Sequence, residues 1–408
     1  MLKLIIPLLI FITSSTIAGL NLRGGVGYSQ FAQRYVLFED DTITASNEGK
    51  IFIEGNAGKS YGQPGGRANW MLSGGSSSFW GRTWGRWTVK SDNDFSMITQ
   101  LSADLRQPYE DESAAGYFKG AGFLKLKKKW DNTKSAAKFA YENKAYSSES
   151  SYSYDYSLSK MRFDISLPLF GTDELTIAYQ FAFRFAPDTV EANYIRNNFY
   201  ATWDKFWNVN YLRADIEAER RVYNRGDLYG NFWRIDGTFE PRIALARKLT
   251  LVPKLAVEGY RYDWADEVHP NREQVTLSAG AEWMFSSYLN AEFAPKFLVS
   301  HAGEAVETDN FNEISLEFGI DWLRYNQVWL YANIEPGYRI YADDPPDEFA
   351  YFSDFVFVEG SAYCAWWIVE RLRFDVMISC SPEWHVIDDD DITTFYLSTN
   401  LRYEFFGD

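Results

Sequence analysis

The chain has 408 residues, with 40 Lys and Arg against 56 Asp and Glu and a formal net charge of −16. This acidic balance argues against a nucleic-acid-binding protein, whose surfaces are usually basic. The sequence has no Walker or Rossmann glycine pattern, HExxH motif or zinc-type cysteine pair, so we expect no cofactor. Aromatic residues make up 18% of the chain while its mean hydropathy is only −0.33, which is typical of strands buried on one face.

The N-terminus predicts export. Lys3 precedes an apolar run from Leu4 to Ile12, and small residues close the segment at Ala18. This is the layout of a secretory signal peptide, so residues 1–18 are predicted to be removed. The alternative is a buried or anchoring helix, but a membrane-spanning helix needs about 20 apolar residues.

Residues 19–79 carry the weakest pattern. The stretch "GKIFIEG" at 49–55 predicts a strand, whereas "GQPGGR" at 62–67 and "LSGGSSS" at 72–78 predict loops. We expect this segment to supply the first strand or strands of the sheet, or to fold inwards as a luminal segment. It is too short for a plug domain of the size that energised transporters use.

From about residue 80 onward, runs of 11 to 16 residues repeat in which apolar and polar residues alternate. In "NEISLEFGIDWLRY" at 312–325, Ile314 and Phe318 share one face while Glu313 and Glu317 share the other. A period of two predicts strands rather than helices. Seventeen such runs begin near residues 80, 95, 116, 134, 154, 173, 193, 207, 228, 248, 273, 288, 311, 327, 353, 371 and 393.

Two local features qualify this pattern. The alternation changes phase between Leu158 and Met161, which predicts a β-bulge. The two cysteines, Cys364 and Cys380, fall on adjacent strands about four residues out of register, which exceeds disulfide reach. We therefore expect two free thiols.

The connections alternate between very short turns and longer polar loops, which predicts an antiparallel up-and-down meander. A soluble propeller or sandwich would accept the same alternation. However, the runs are long for soluble strands, charges of both signs occur in mid-strand, and aromatic residues gather at the run ends, as in Trp366 and Trp367. These features favour an all-β transmembrane barrel. Because bacterial barrels usually have even strand numbers, we expect about 18 strands, with 20 as the alternative.

The C-terminal stretch "TTFYLSTNLRYEFFGD" resembles the terminal signal of bacterial outer-membrane barrels, because Leu401, Tyr403 and Phe405 alternate close to the end. The resemblance covers the architecture from about residue 80 to 408 and implies residence in the outer membrane of a Gram-negative-type bacterium. It also implies contact with outer-membrane lipid and lipopolysaccharide, and handling by the barrel-assembly machinery. The family signal usually ends on an aromatic residue, whereas Gly407 and Asp408 follow here.

The polar strand faces carry the candidate functional residues, which we expect to line a pore for small polar solutes. The predicted set is Glu282, Glu292, Glu313, Glu317, Glu335, Arg234, Arg339, Arg373 and Arg402. The alternative is that these charges pair and stiffen or fill the barrel, leaving function to the surface loops.

Two further hypotheses are weaker. An outer-membrane hydrolase would need one of the three histidines, His269, His301 and His385, beside a nucleophile and a carboxylate, but no enzyme motif surrounds them. The acidic run 388–391 offers oxygen ligands for calcium but lacks the spacing of an EF-hand. We therefore expect a non-enzymatic, porin-like channel. Removal of residues 1–18 takes away only Lys3 and lowers the net charge from −16 to −17, which predicts a mild cation preference that weakens with salt.

Overall fold

The computed structural model describes residues 20–37, 40–59, 65–91, 94–109, 116–147, 154–266, 268–303, 310–325, 327–342, 353–386 and 391–406. Within these ranges the chain forms twenty β-strands that join in chain order into one antiparallel sheet. The signal peptide predicted at 1–18 lies outside the described residues, so its removal stays a prediction.

The strands have nearly uniform lengths from β4 onward. The first ten are β1 (Leu20–Leu37), β2 (Asp40–Lys59), β3 (Gly65–Gly75), β4 (Ser78–Lys90), β5 (Phe95–Pro108), β6 (Tyr117–Trp130), β7 (Thr133–Tyr146), β8 (Tyr156–Pro168), β9 (Glu174–Phe185) and β10 (Tyr194–Trp207). The second ten are β11 (Asn210–Tyr223), β12 (Phe232–Ala246), β13 (Leu249–Tyr262), β14 (Arg272–Ser286), β15 (Leu289–Ala302), β16 (Phe311–Arg324), β17 (Val328–Tyr341), β18 (Phe355–Val369), β19 (Leu372–His385) and β20 (Ile392–Phe406).

The sheet closes into a barrel because β1 pairs antiparallel with β20. The register of this seam runs from Leu22 opposite Phe406 to Tyr35 opposite Ile392, with a shift next to Leu22. Twenty strands spaced about 4.8 Å apart and tilted by about 40° give a backbone diameter of roughly 40 Å. The predicted all-β antiparallel barrel is therefore confirmed.

The strand number corrects the prediction of about 18, since the structure has the alternative number of 20. All seventeen strands predicted from residue 80 onward are present as β4–β20. The difference lies in the three wall strands β1–β3, formed by Leu20–Leu37, Asp40–Lys59 and Gly65–Gly75. Glycines at Gly24, Gly25, Gly27 and Gly66 remove side chains from the alternation, so β1 and β3 carry little period-two signal.

The bulge predicted near Leu158 is also corrected. Strand β8 pairs with β9 without a register shift from Ser157 opposite Phe185 to Pro168 opposite Glu174. Leu158 is buried on one face, whereas Met161 is exposed on the other, so an apolar side chain on the polar face produced the apparent phase change. The register also sets Cys380 opposite Gly360 and Cys364 opposite Val376, and both are free thiols, as expected.

The two ends of the barrel differ, as the sequence predicts. Connections from even to odd strands are mostly tight turns at the end where β1 begins and β20 ends; we call this the short-turn end. At two of these turns Asp131 and Asn208 adopt positive φ angles of 49° and 55°, which Asp and Asn tolerate better than most residues. The opposite, long-loop end also carries a short 3-10 helix, Val190–Ala192, and the four-residue helix α1, Gly226–Tyr229.

Large apolar side chains stand exposed on one face of the strands. Leu101, Ile314 and Ile51 are 57%, 61% and 69% exposed. Such a belt suits a lipid boundary rather than water. Among the described residues, no helix is both long enough and apolar enough to cross a membrane.

The opposite face is polar and lies on the concave side of the wall. Its side chains reach past an intervening strand: Lys134 on β7 binds Glu174 on β9 at 2.7 Å, and Lys296 on β15 binds Glu335 on β17 at 2.8 Å. Strands two apart are separated by almost 10 Å, and side chains converge over that distance only on the concave face. The polar face therefore surrounds the lumen.

Candidate functional site

The candidate site is the charged inner face of the barrel. The structure places the predicted acids on β14–β17 and pairs most of them with bases. Glu313 accepts two hydrogen bonds from Arg339 at 2.7 and 3.0 Å. The ammonium group of Lys296 bridges Glu317 at 2.7 Å and Glu335 at 2.8 Å. The acids therefore form a paired network along the wall.

Two predicted acids lie side by side. Glu282 and Glu292 are directly opposite each other on β14 and β15, and Arg242 on β12 reaches over β13 to bind Glu282. Of the sequence-predicted residues, only Glu313 and Arg339 bind each other; Arg242 and Lys296 were absent from the predicted set. We call Glu282, Glu292, Glu313, Glu317 and Glu335 the acidic wall.

Apart from Arg339, the predicted arginines pair with acids outside the predicted set. Arg373 and Arg402 lie directly opposite each other, and Asp375 accepts a hydrogen bond from Arg373 at 2.6 Å and lies 3.1 Å from Arg402. Arg402 also lies 3.6 Å from Glu54 on β2, so this network crosses the β1–β20 seam. Arg234 is held by Asp236 at 2.8 Å. These contacts fix the arginine side chains against the wall.

The sequence analysis did not identify a second group of charges on the inner face. Five lysines of β6 and β7, Lys125, Lys127, Lys129, Lys134 and Lys138, lie on the inner face; we call them the lysine wall. The alternation in "LKLKKKW" at 124–130 carries the signal, since Lys125, Lys127 and Lys129 fall on alternate positions. The prediction considered only glutamates and arginines and therefore missed it.

The lysine wall is poorly neutralised. Lys125 lies directly opposite Lys138, which lies opposite Arg162, and Lys129 lies opposite Lys134. Within the described ranges, Lys125, Lys127 and Lys129 have no carboxylate within 4.0 Å. The nearest compensation is indirect: Lys138 sits 4.4 Å above the Phe123 ring, and Glu174 binds Lys134. Like charges directly opposite each other destabilise a sheet, so this arrangement opposes the stability of the wall.

The two walls face each other. In a closed ring of twenty strands, β6 and β7 lie ten positions from β16 and β17. The lysine wall is therefore on the opposite side of the lumen from Glu313, Glu317 and Glu335. Separated charges of opposite sign impose a transverse field on any solute between them.

Aromatic rings and arginines line the inner face near the long-loop end. Arg184 lies 5.1 Å above the Tyr154 ring and 4.9 Å above the Tyr194 ring. Arg221 lies 5.1 Å above Tyr194 and binds Glu219, which is only 2% exposed. Tyr154 precedes β8, and burial raises the pKa of its hydroxyl. These stacked aromatic rings and guanidinium groups form a rigid lining at the long-loop end of the barrel.

The three histidines lie in or beside the long loops, as expected. His385 has catalytic-looking neighbours: Nδ1 lies 3.2 Å from Ser353 Oγ, and Nε2 lies 3.5 Å from Glu383. However, Ser353 is 2% exposed, and its carbonyl oxygen is also 3.2 Å from Nδ1. A buried hydroxyl is not accessible to a substrate. The contact between His385 and Ser353 instead links the end of β19 to the loop between β17 and β18.

The loop between β13 and β14 is held in a similar way. Asp266 accepts a hydrogen bond from the backbone N–H of His269 at 2.7 Å, and this bond holds the pKa of Asp266 below its ordinary value. The hypothetical calcium ligands at 388–390 lie outside the described residues. Asp391 is described, and it accepts a hydrogen bond from the backbone N–H of His385.

The comparisons with known proteins agree with the barrel. No protein-family model and no curated protein matches the chain. Solved structures do match, all at low identity. The copper transporter OprC has a TM-score of 0.59 at 9% identity, covering 96% of this chain and 80% of that one. The siderophore receptor PirA from Pseudomonas aeruginosa has a TM-score of 0.57 at 9% identity, with coverages of 93% and 80%.

A third match is the alcaligin outer-membrane receptor FauA from Bordetella pertussis, with a TM-score of 0.53 at 10% identity and coverages of 93% and 76%. These likenesses show the fold. The resemblance to bacterial outer-membrane barrels, predicted from the C-terminal strand and the alternating runs, is confirmed at that level, and the predicted location in the outer membrane agrees with it.

Proposed function

We propose that this protein is a passive channel of the bacterial outer membrane that conducts small polar and charged solutes. The observation that carries the proposal is a closed barrel of roughly 40 Å backbone diameter whose inner face is charged. Charged side chains of both signs are costly in an apolar interior but are well solvated around water. A water-filled lumen accounts for them.

Two observations support an open lumen. The segments 20–37, 40–59 and 65–75, which could have folded inwards, build the wall strands β1–β3. Among the described residues the ion pairs run along the wall, as in Arg373–Asp375 and Arg339–Glu313, and do not cross the barrel. Barrels of 16–18 strands leave aqueous channels, whereas 22-stranded ones are plugged, and this chain falls between the two.

A second candidate follows from the neighbours. PirA is a siderophore receptor and OprC is a copper transporter. A metal ion or metal chelate is therefore a candidate solute for this lumen, carried by an energised transporter rather than by diffusion. Outer-membrane transporters with 22 strands have a plugged lumen, and the described residues of this chain supply no plug.

The outer surface supports the remaining proposed partners. The exposed apolar belt is suited to outer-membrane lipid, with lipopolysaccharide at its outer edge. Tyr403 and Phe405 stand on that face at 42% and 44% exposure, where the barrel-assembly machinery would meet the last strand.

Single-channel recording tests the proposed function. The purified, folded barrel in a planar lipid bilayer is expected to give stable, ohmic conductance steps in potassium chloride. A correctly folded barrel that conducts no current would contradict a channel and would favour a plugged barrel whose function lies in its loops. Hydrolysis of an ester or phospholipid substrate, lost in His385→Gln, would instead favour the hydrolase.

A further inference from the structure

The short-turn end of the lysine wall borders a cavity of about 450 Å³. Its lining includes Lys90, Lys125, Lys127, Lys129 and Lys134, together with the hydroxyls of Ser96, Ser166 and Thr176. Lys127, Lys129 and Lys134 are exposed and Lys125 is half-buried, so solutes in the lumen can reach their ammonium groups. The cavity therefore concentrates positive charge and hydrogen-bond donors at one place.

The arrangement differs from like-charge pairs elsewhere in the barrel. Arg373 and Arg402 lie opposite each other but share Asp375. In the lysine wall, Lys125 and Lys138 lie opposite each other, and no described carboxylate bridges them. A sheet that keeps such a pair without a counter-charge departs from the pairing rule, as functional sites commonly do. A bound anion would supply this counter-charge.

Within the described chain Glu174 pairs with Lys134, but the two carboxylates that line the cavity do not pair with its other lysines. Asp164 lines the cavity, but Arg162 binds it at 2.7 Å. Asp94 also lines the cavity, and its carboxylate lies within 4.0 Å of no Lys or Arg nitrogen of the described chain. Among the described residues, Lys125, Lys127 and Lys129 therefore leave an excess of positive charge at the cavity.

The donor types favour a particular anion. Lysine ammonium groups act as separate point charges, whereas flat carboxylates are matched best by the fork of an arginine. Ser166 and Thr176 add a hydroxyl pair, 2.8 Å apart, beside Lys134. Several separated donors suit the oxygens of a tetrahedral phosphate.

We propose that this cavity is a binding site for small multivalent oxyanions of the phosphate class, which it draws from the lumen. The proposal rests on the proposed channel function only in that the solute reaches the cavity through the lumen. Binding itself requires only the folded barrel. The site would hold a phosphate-bearing solute briefly on its way through the pore and favour it over chloride.

Inorganic pyrophosphate is the probe. Isothermal titration of the folded, detergent-solubilised barrel is expected to show saturable binding, and pyrophosphate is expected to block the chloride current in a planar bilayer. The double variant K125Q/K127Q should weaken both by about thirtyfold, since it removes two attractions of about 1 kcal/mol each. The control K248Q/K254Q removes the same charge from the β12–β13 turn and from β13, outside the cavity, and should bind as the wild type does.

The outcomes separate the two proposals. Binding without any conductance would support the site and contradict the channel. Conductance without pyrophosphate binding, or equal loss in both double variants, would overturn the site and leave the channel intact. Citrate that binds as tightly as pyrophosphate, with the same dependence on Lys125 and Lys127, would overturn the assignment to phosphate.

Discussion

Asp375 is the residue on which the arginine network of the inner wall depends. Its side chain is only 5% exposed. It accepts hydrogen bonds from Arg373 at 2.6 Å and from Tyr363 at 2.9 Å, and Arg402 lies 3.1 Å away. Without this carboxylate the two opposed guanidinium groups would repel each other. Asp375 therefore offsets a like-charge pair that the register of β19 and β20 creates.

We expect Asp375→Asn to lower the free energy of unfolding by about 2–3 kcal/mol, because it leaves two half-buried cations without their shared counter-charge. The measurement is unfolding of the barrel in detergent by urea, followed by tryptophan fluorescence. Asp321→Asn is the control: Asp321 accepts a hydrogen bond from Trp329 at 3.0 Å and joins no ion pair within the described chain. Equal destabilisation by the two variants would contradict this role of Asp375.

At the residue scale, sequence alternation predicts which face a side chain occupies but not its partner. Glu317 and Glu335 were assigned to the inner face, yet their contact with Lys296 depends on strand register and on the curvature of the wall. The contact between Arg242 and Glu282 spans an intervening strand, and alternation along single strands does not predict such a contact.

At the element scale, closure of the barrel depends on how closely β1 approaches β20. Gly25 lies opposite Arg402, and a Cβ atom there would stand 2.1 Å from the carbonyl oxygen of Leu401. Backbone atoms cannot yield as a flexible side chain can. Only glycine permits this approach, so Gly25 determines the fit of the seam.

Gly25→Ala is expected to force β1 away from β20 and to reduce the fraction of folded barrel, with a destabilisation of about 1–3 kcal/mol or more from overpacking. Folded barrels migrate faster than unfolded chains in unheated SDS gels, and this ratio is the measurement. Gly49→Ala on β2 is the matched control, because no atom lies within 4 Å of its Cβ position. A normal folded fraction for Gly25→Ala would show that the seam tolerates the displacement.

Glycines also explain why the sequence predicted β4–β20 and, through "GKIFIEG", part of β2, but not β1 or β3. Periodicity identifies strands through side chains that alternate in polarity, and β6 or β16 carry one at nearly every position. Strand β3, "GGRANWMLSGG", has four glycines among its 11 residues, and "GQPGGR" resembles a turn. Tertiary pairing with β2 and β4 makes this segment a strand.

At the scale of the whole molecule, the lumen has two charged sides. The acidic wall is largely paired, since Arg339, Lys296 and Arg242 neutralise most of it locally. The lysine wall across the ring is largely unpaired. The set of glutamates and arginines predicted from the sequence did not include these lysines. The electric field across the pore is therefore stronger than the charges predicted on β14–β20 would produce by themselves.

The last prediction concerns ion selectivity, where the loops and the lumen act in opposite directions. The acidic excess of the chain enriches cations at the mouth, while the unpaired lysines attract anions inside. We expect a mild cation preference that declines with salt, because ions screen these fields within about 8 Å at physiological strength and about 3 Å at 1 M. Two luminal variants should shift it in opposite directions.

Removing two lysines in K125Q/K127Q should raise the cation-to-anion permeability ratio by about fivefold or more at low salt, since two unit charges, each about 8 Å from a passing ion, together contribute roughly 1 kcal/mol in water. Neutralising the acids in E313Q/E317Q/E335Q should lower the ratio, because Arg339 and Lys296 then lose their partners. Reversal potentials across a potassium chloride gradient measure both. If both variants moved the potential in the same direction, the loops rather than the two walls would control selectivity; a wild-type channel that clearly prefers anions would show that the lysine wall dominates.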